Sequence, residues 1–396
     1  LLTMFDRVVD KKYSHFINTM LFLFVLFVNI NRTVGDIILF VLAIIGIYFA
    51  IKDRINPLKE ERLKIIFFIT FGYYLINFIV FIFNGTYIAK YLQTDLYFLL
   101  AVFIAISITR AKINLNLVFL GIKIALIILG IGLIFSFQFS NIYISIFAPI
   151  TALMMFCSIL NFDKEGLLEK IIGLVAFAFG LAMIIDSGIR LSWLVFVVLL
   201  FIVFNFIFSK NKIIIFPLIT ALLVLMVFIN GDNIVKNRIV IAYDNITQWS
   251  QGENRTSSVG IRLEMYKSGI QAFKEKPFFG YGYLRGTKEV SSHVDARARV
   301  KVNNFVQLHD EYITTIVEKG LIGLIALLLI LFIPFFVFVS NYDRSDIYIR
   351  TGIVISVSFI LFGTFNVSFG DTTMKAFYVF FLCILLPKFV NERQTK

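Results

Sequence analysis

The sequence predicts an all-α polytopic membrane protein of about twelve transmembrane helices, and three observations predict it. Hydrophobic residues are 59% of the 396, against roughly 45–50% in an ordinary globular chain, and charged residues are 16%, where about 25% is usual. Phe alone occurs 47 times, and the mean hydropathy is +0.89. The apolar residues also run in stretches near the roughly 20 residues that a helix needs to cross a bilayer. A soluble core cannot hide so much apolar surface, which excludes a soluble enzyme, a disordered chain and a nucleic-acid binder. The net charge of +12 reads instead as Lys and Arg in cytoplasmic loops.

In chain order the spans lie at about 16–31, 34–51, 65–83, 96–109, 117–137, 142–160, 170–188, 191–209, 213–230, 318–340, 350–367 and 373–390. The first follows Lys11 and Lys12, with no small-residue cleavage pattern after it, so it reads as a retained span. Basic residues fall on alternate connections: Arg7, Lys11 and Lys12; Lys52, Arg54, Lys59, Arg62 and Lys64; Arg110 and Lys112; Lys164 and Lys170; Lys210 and Lys212; Arg344 and Arg350; Lys388, Arg393 and Lys396. The opposite short loops hold only Arg32, Lys90 and Arg190. That bias predicts cytoplasmic termini. It divides the chain into an N-terminal bundle (1–230), one long polar segment outside the cytoplasm (231–317) and C-terminal spans (318–396). ATP and nucleotide sugars are therefore not expected substrates; chemistry on that face needs a donor already activated on a membrane carrier. Apart from Lys123 and Asp186, the span interiors read as nearly free of charge, which counts against a flippase or other transporter.

The polar segment carries three ordered pieces. Ser257 and Ser258 cap a helix whose face Leu263, Tyr266, Ile270 and Phe273 is apolar, opposite Glu264, Lys267, Gln271 and Lys274; Pro277 ends it. This predicts an amphipathic helix on the bilayer or the bundle. A glycine turn follows at Pro277-Phe278-Phe279-Gly280-Tyr281-Gly282-Tyr283, without the strand and helix of a nucleotide loop. Asn304 to Glu318 is helical in pattern and leads into the tenth span. Cys157 and Cys383 lie in apolar runs and read as buried small hydrophobes. No cluster with metal-ligand spacing stands on the outer face, so neither metal nor cofactor is expected.

Two local patterns resemble the bacterial O-antigen ligase family, within the group that also contains O-antigen polymerases. One runs from Ser258 to Tyr266 and on through Pro277-Phe278 and Gly280-Tyr281-Gly282. The other is Gln307-Leu308-His309-Asp310-Glu311-Tyr312, followed by Glu318-Lys319-Gly320-Leu321-Ile322-Gly323-Leu324. Ser187-Gly188-Ile189-Arg190 resembles the family's Ser/Thr-x-Arg element without the more usual small residue after the Arg. The resemblance implies a GT-C-like membrane glycosyltransferase. Its donor is an undecaprenyl-diphosphate-linked glycan and its acceptor a sugar hydroxyl of lipid A–core oligosaccharide. It also implies the periplasmic face of a Gram-negative inner membrane, with inverting transfer that needs neither metal nor ATP. A polymerase shares the donor but joins it to another lipid-linked glycan, and a protein O-oligosaccharyltransferase joins it to a protein hydroxyl.

The residues fit that chemistry. A diphosphate gains charge as it leaves, and guanidinium groups offer it permanent charge and paired donors. Arg190, at a span end, and Arg262, in the first turns of the amphipathic helix, are the candidates; Arg190 has an alternative partner in Asp186, one turn back. The attacking hydroxyl must lose a proton, and histidine is the usual base near neutrality. His309 lies in the matched pattern and is the candidate base, whereas His15 and His293 do not. Glu311 is a candidate to orient the imidazole or bind acceptor sugar. Arg297 and Arg299, with Lys301, form a basic face for a phosphorylated acceptor or for lipid headgroups. Asp371 is read either as a site residue or as a cap of the twelfth span.

Overall fold

The computed structural model describes residues 11–84, 89–134, 151–186, 190–207, 234–305 and 307–389, and every regular element among them is helical. Apolar runs give α1 (Lys11–Phe27), α2 (Arg32–Lys52), α3 (Glu61–Asn84, with a π turn at Phe67–Phe71), α4 (Ala89–Thr109), α5 (Leu115–Ile134), α6 (Leu167–Asp186) and α7 (Arg190–Ile207). More polar helices follow as α8 (Ile234–Ser250), α9 (Ser258–Glu275), α10 (Gly286–His293) and α11 (Ala296–Asn303). The chain then returns to apolar helices in α12 (Glu311–Ser340), α13 (Ile347–Gly363) and α14 (Thr372–Phe389). Among the described residues, five helices are long and apolar enough to cross a membrane: α2, α3, α5, α6 and α12. Shorter apolar stretches lie in α4 and α13. Of the predicted spans, 213–230 and the first part of 142–160 lie outside the described residues, and 151–157 is helical.

From Ala376 to Leu386 α14 is apolar on every side, as a helix enclosed by others must be. Phe377 to Cys383 are each 1% exposed or less, packed against α4, α3 and α13. Phe24 of α1 stacks on Phe380 at 4.1 Å. Both cysteines are free and buried, as expected. α2 runs along α4, and Gly46 makes this possible because a Cβ there would strike the Phe103 carbonyl. Close backbone approach at small residues replaces the hydrophobic drive that lipid cannot supply between helices.

Among the described residues the predicted basic connections meet on one face. Arg110 pairs with Asp53, and Asn18 donates to the Lys112 carbonyl at 2.8 Å. Asn161 donates to Asn116 at 3.2 Å, while Arg350 grips Asp163 at 2.7 and 2.9 Å. Lys388 pairs with Asp346 at 2.8 Å. At the far end of α3, Asn84 donates to the Phe279 carbonyl at 3.0 Å, so the polar helices sit at the opposite end of the bundle. They have a small core of their own, built from Ile261, Met265, Val290, Val302, Leu308 and Val317 among others.

Three expectations need correction. Glu264, assigned to the polar face of α9, is buried together with Ile261, Met265, Ser268 and Ala272, while Ile270 of the assigned apolar face is exposed. The reason is that Glu264 goes inside as a paired ion, accepting from Arg255 and, at 2.8 Å, from Trp249. The helix expected from Asn304 begins only at Glu311, because Asp310 caps it by accepting from the Ile313 amide at 2.7 Å. Span interiors also hold more charge than expected. Lys375 of α14 pairs with Asp95 of α4, whose other oxygen accepts from Asn77 at 3.0 Å; Lys123, expected from the sequence, pairs with Glu165 at 2.6 Å.

Removing one partner of a buried pair strands the other charge, at a cost of about 3–5 kcal/mol. Lys375→Met is therefore expected to lower the thermal unfolding temperature in detergent sharply, and adding Asp95→Asn should recover part of the loss. Equal stability of Lys375→Met and the parent would show that the pair contributes nothing.

Candidate active site

α12 is broken inside its own length. Gly320 has φ +65° and ψ −163°, which frees the carbonyls before it and the amides after it. The glycine turn after α9 takes up both sets. Tyr281 and Gly282 donate their amides to the carbonyls of Val317 and Glu318 at 2.9 and 2.8 Å. Leu321 and Ile322 donate to the carbonyls of Pro277 and Phe278 at 2.7 and 3.4 Å. The two backbones press so close that a Cβ on Gly280 (φ +62°) would meet Val317 and Glu318, and one on Gly320 would meet Phe278. Only glycine accepts that conformation and that contact together. The buried Glu318 carboxylate faces the amides of Leu284 and Gly286, at the start of α10. The turn is thus a backbone brace that fixes α9 to α12.

The brace sets the position of Arg262 and His309. Ser257 caps α9 as expected, accepting from the Gly260 amide at 3.0 Å, and Arg262 lies half-buried on the first turns. His309 is the residue before the Asp310 cap and has φ +56°, a left-handed backbone that is uncommon outside glycine and is found at strained functional turns. The Phe305 ring stands edge-on to its imidazole at 5.1 Å, and the Tyr266 hydroxyl donates to its carbonyl at 3.3 Å. Burial lowers the His309 pKa below the usual histidine value, and the nearby Arg262 guanidinium lowers it further. The imidazole is therefore held neutral near pH 7, ready to accept a proton. Burial raises the pKa of the adjacent Asp310.

The other candidates divide differently. Arg190 is the first residue of α7; its side chain lies outside the described residues, and with it the expected convergence on Arg262 and His309. Glu311 turns away from the imidazole and accepts from the Phe369 amide at 2.7 Å, tying α12 to the turn before α14. Asp371 accepts from the Met374 amide at 3.0 Å, the geometry of a cap. Arg297 is exposed and doubly bonded to Asp295 at 3.0 and 3.2 Å, and these bonds hold the Asp295 carboxyl at about 2. Arg299 donates to the carbonyls of Ser292 and Val294, each at 3.3 Å, and Lys301 to that of Thr256 at 3.0 Å. This basic group closes the polar segment on itself. His293 lies 3.5 Å from Glu275. Among the described residues no three His, Cys, Asp or Glu side chains gather where they could hold a metal.

Sequence reasoning missed Tyr266 as part of the site and Lys319 as a charge at the start of the tenth span. Lys319 stands 3.5 Å from the Tyr73 hydroxyl, its ammonium over the Tyr73 ring. The signal was present in both cases: Tyr266 is one helical turn beyond Arg262, and Lys319 interrupts the start of an apolar run.

Comparison with known proteins gives this geometry a context. Residues 175–328 match the family model described as O-antigen ligase, a stretch that includes Arg190, Arg262 and His309. A Haemophilus influenzae protein described as uncharacterized is 29% identical over 226 residues, which is 55% of this chain and 56% of that protein. The match thus spans a little over half the length of that relative.

Two outcomes follow from the geometry. Gly320→Ala is expected to displace the glycine turn and destabilise the protein by about 1–3 kcal/mol, seen as a lower unfolding temperature. Arg262→Gln should move the His309 titration to higher pH, because a positive neighbour disfavours the imidazolium; burial still keeps it under the ordinary value. The lowered pKa stabilises the fold above the ordinary histidine value, and that contribution fades as pH falls toward the lowered one. An unmoved His309 titration in Arg262→Gln would place the guanidinium too far away to act on it.

Proposed function

We propose that this chain, whose residues 175–328 match the family model described as O-antigen ligase, is a ligase that moves a glycan from undecaprenyl diphosphate to a sugar hydroxyl of lipid A–core oligosaccharide. The observation that carries the reading is the nearness of a half-buried, neutral-leaning imidazole to a guanidinium, on the two braced pieces of the matched stretch. His309 takes the acceptor proton while the hydroxyl oxygen attacks the anomeric carbon from the face opposite the diphosphate. The bond between that carbon and the diphosphate oxygen breaks, and the leaving group keeps the electron pair. Arg262 and Arg190 bind the diphosphate and stabilise the charge that grows on it, an effect that is often the largest in catalysis. The donor arrives activated, so neither ATP nor metal is required.

The setting belongs to the same reading. The chain is a GT-C-like bundle of about twelve spans in a Gram-negative inner membrane, with both termini cytoplasmic. Residues 231–317 face the periplasm, between a membrane bundle at 1–230 and further spans at 318–396. The gathering of basic connections on the face opposite the polar helices supports that orientation through the positive-inside bias.

Deleting the gene in its host and resolving lipopolysaccharide on a gel tests the reading. Loss of a ligase leaves rough lipopolysaccharide while long lipid-linked glycan accumulates. Core carrying a single repeat would instead indicate a polymerase, and loss of a glycoprotein alone would indicate a protein glycosyltransferase. In complementation, His309→Ala should lower transfer by at least about 100-fold at unchanged membrane expression. Arg262→Lys and Arg190→Lys should also fail, because a point charge does not replace a planar fork. Full transfer by His309→Ala removes the imidazole from the mechanism.

A further inference from the structure

We infer that Tyr266 is a positioning residue for this reaction: its hydroxyl pins the left-handed His309 turn to α9 and so keeps the imidazole beside Arg262. The inference rests on the reading of His309 as the base. Arg262 and Tyr266 stand one helical turn apart and share a face of α9, so one helix presents both the charge that acts on the imidazole and the donor that holds its backbone. The bond from Tyr266 to the His309 carbonyl is 3.3 Å long. It falls at a backbone with positive φ, the place where a turn most needs an outside restraint. On the other side the turn is anchored to α12 by Asp310, which accepts from the Ile313 amide at 2.7 Å and, through its carbonyl, from the Thr314 hydroxyl at 2.6 Å. Without the Tyr266 hydroxyl the turn keeps its hydrogen bonds to α12 and loses this one to α9, which carries Arg262.

The charged and titratable groups around the imidazole are few among the described residues. Arg262 and Tyr266 come from α9, and Asp310 from the turn itself. Phe305 brings a ring edge without charge. From α12, Glu311 is bonded to the Phe369 amide and Tyr312 to the Ile360 carbonyl, both directed elsewhere. Burial and Asp310 hold the Tyr266 hydroxyl above the usual tyrosine pKa, so it keeps its proton and remains a donor. It does not exchange protons with the acceptor.

The test uses the full-length protein in nanodiscs with carbon-labelled histidine, the His309 signal being assigned by its loss in His309→Gln. In Tyr266→Phe, which removes the hydroxyl and little else, the His309 midpoint should rise toward the ordinary histidine value. The acid limb of the transfer rate should rise with it, and kcat near neutrality should fall about three- to tenfold at unchanged donor KM. In an Arg262→Gln background the same substitution should move the midpoint little, since the charge it would separate from the imidazole is already gone. A purely structural role for Tyr266 would reduce the folded fraction and leave the midpoint in place. A wild-type midpoint in Tyr266→Phe overturns the inference whatever the activity. A displaced midpoint together with no glycan transfer by the parent protein upholds the positioning and refutes the ligase reading instead.

Discussion

The exchange of backbone hydrogen bonds between the glycine turn and the broken helix is the constraint on which the site depends. A helix interrupted in low-dielectric surroundings leaves amides and carbonyls that cost free energy until they find partners. Here the interruption at Gly320 frees two carbonyls and two amides, and the turn from Pro277 to Gly282 meets all four. The arrangement works only because Gly280 and Gly320 both adopt positive φ. Stabilisation and geometry therefore come from the same bonds: the feature that makes the break tolerable also fixes the distance between the helix bearing Arg262 and the turn bearing His309.

Charge within the polar segment follows a consistent division. Arg255 is paired with the buried Glu264, Arg297 with Asp295, and Arg299 and Lys301 with backbone carbonyls. These groups hold the fold of the segment. Among the described residues Arg262 makes no ion pair with a carboxylate, and its charge acts on the imidazole of His309 and the hydroxyl of Tyr266. A guanidinium left free of carboxylates retains its donors for an anion that arrives later, and meanwhile it keeps the imidazole uncharged.

Much of this was legible in the sequence because the relevant physics is local. Apolar run length located the helices, Ser257 marked the start of α9, and alternating basic residues identified the face on which Asp53, Asp163 and Asp346 wait for their partners. The pairing of Arg262 with His309 was legible only through family resemblance, since 46 intervening positions carry no spacing rule that joins them. The face of α9 was misread because hydropathy scores Glu264 as a surface residue, whereas Arg255 and Trp249 make its burial tolerable. The membrane-level pair was missed because Asp95 lies just ahead of the apolar run assigned to its helix, and its partner is distant in sequence. Hydropathy measures each side chain against water and cannot see a counter-ion on another helix.

That pair also bears on how the protein is made. Asp95 and Lys375 are 280 residues apart, and ribosomes add about 5–20 residues per second, so Asp95 waits roughly 15–60 seconds before Lys375 is even synthesised. During that interval α4 carries an acid with no counter-ion. It must be sheltered by neighbouring helices or by the insertion machinery, and the docking of α14 is what ends the wait. The central helix of the finished bundle is thus among the latest to arrive, and assembly closes from the inside.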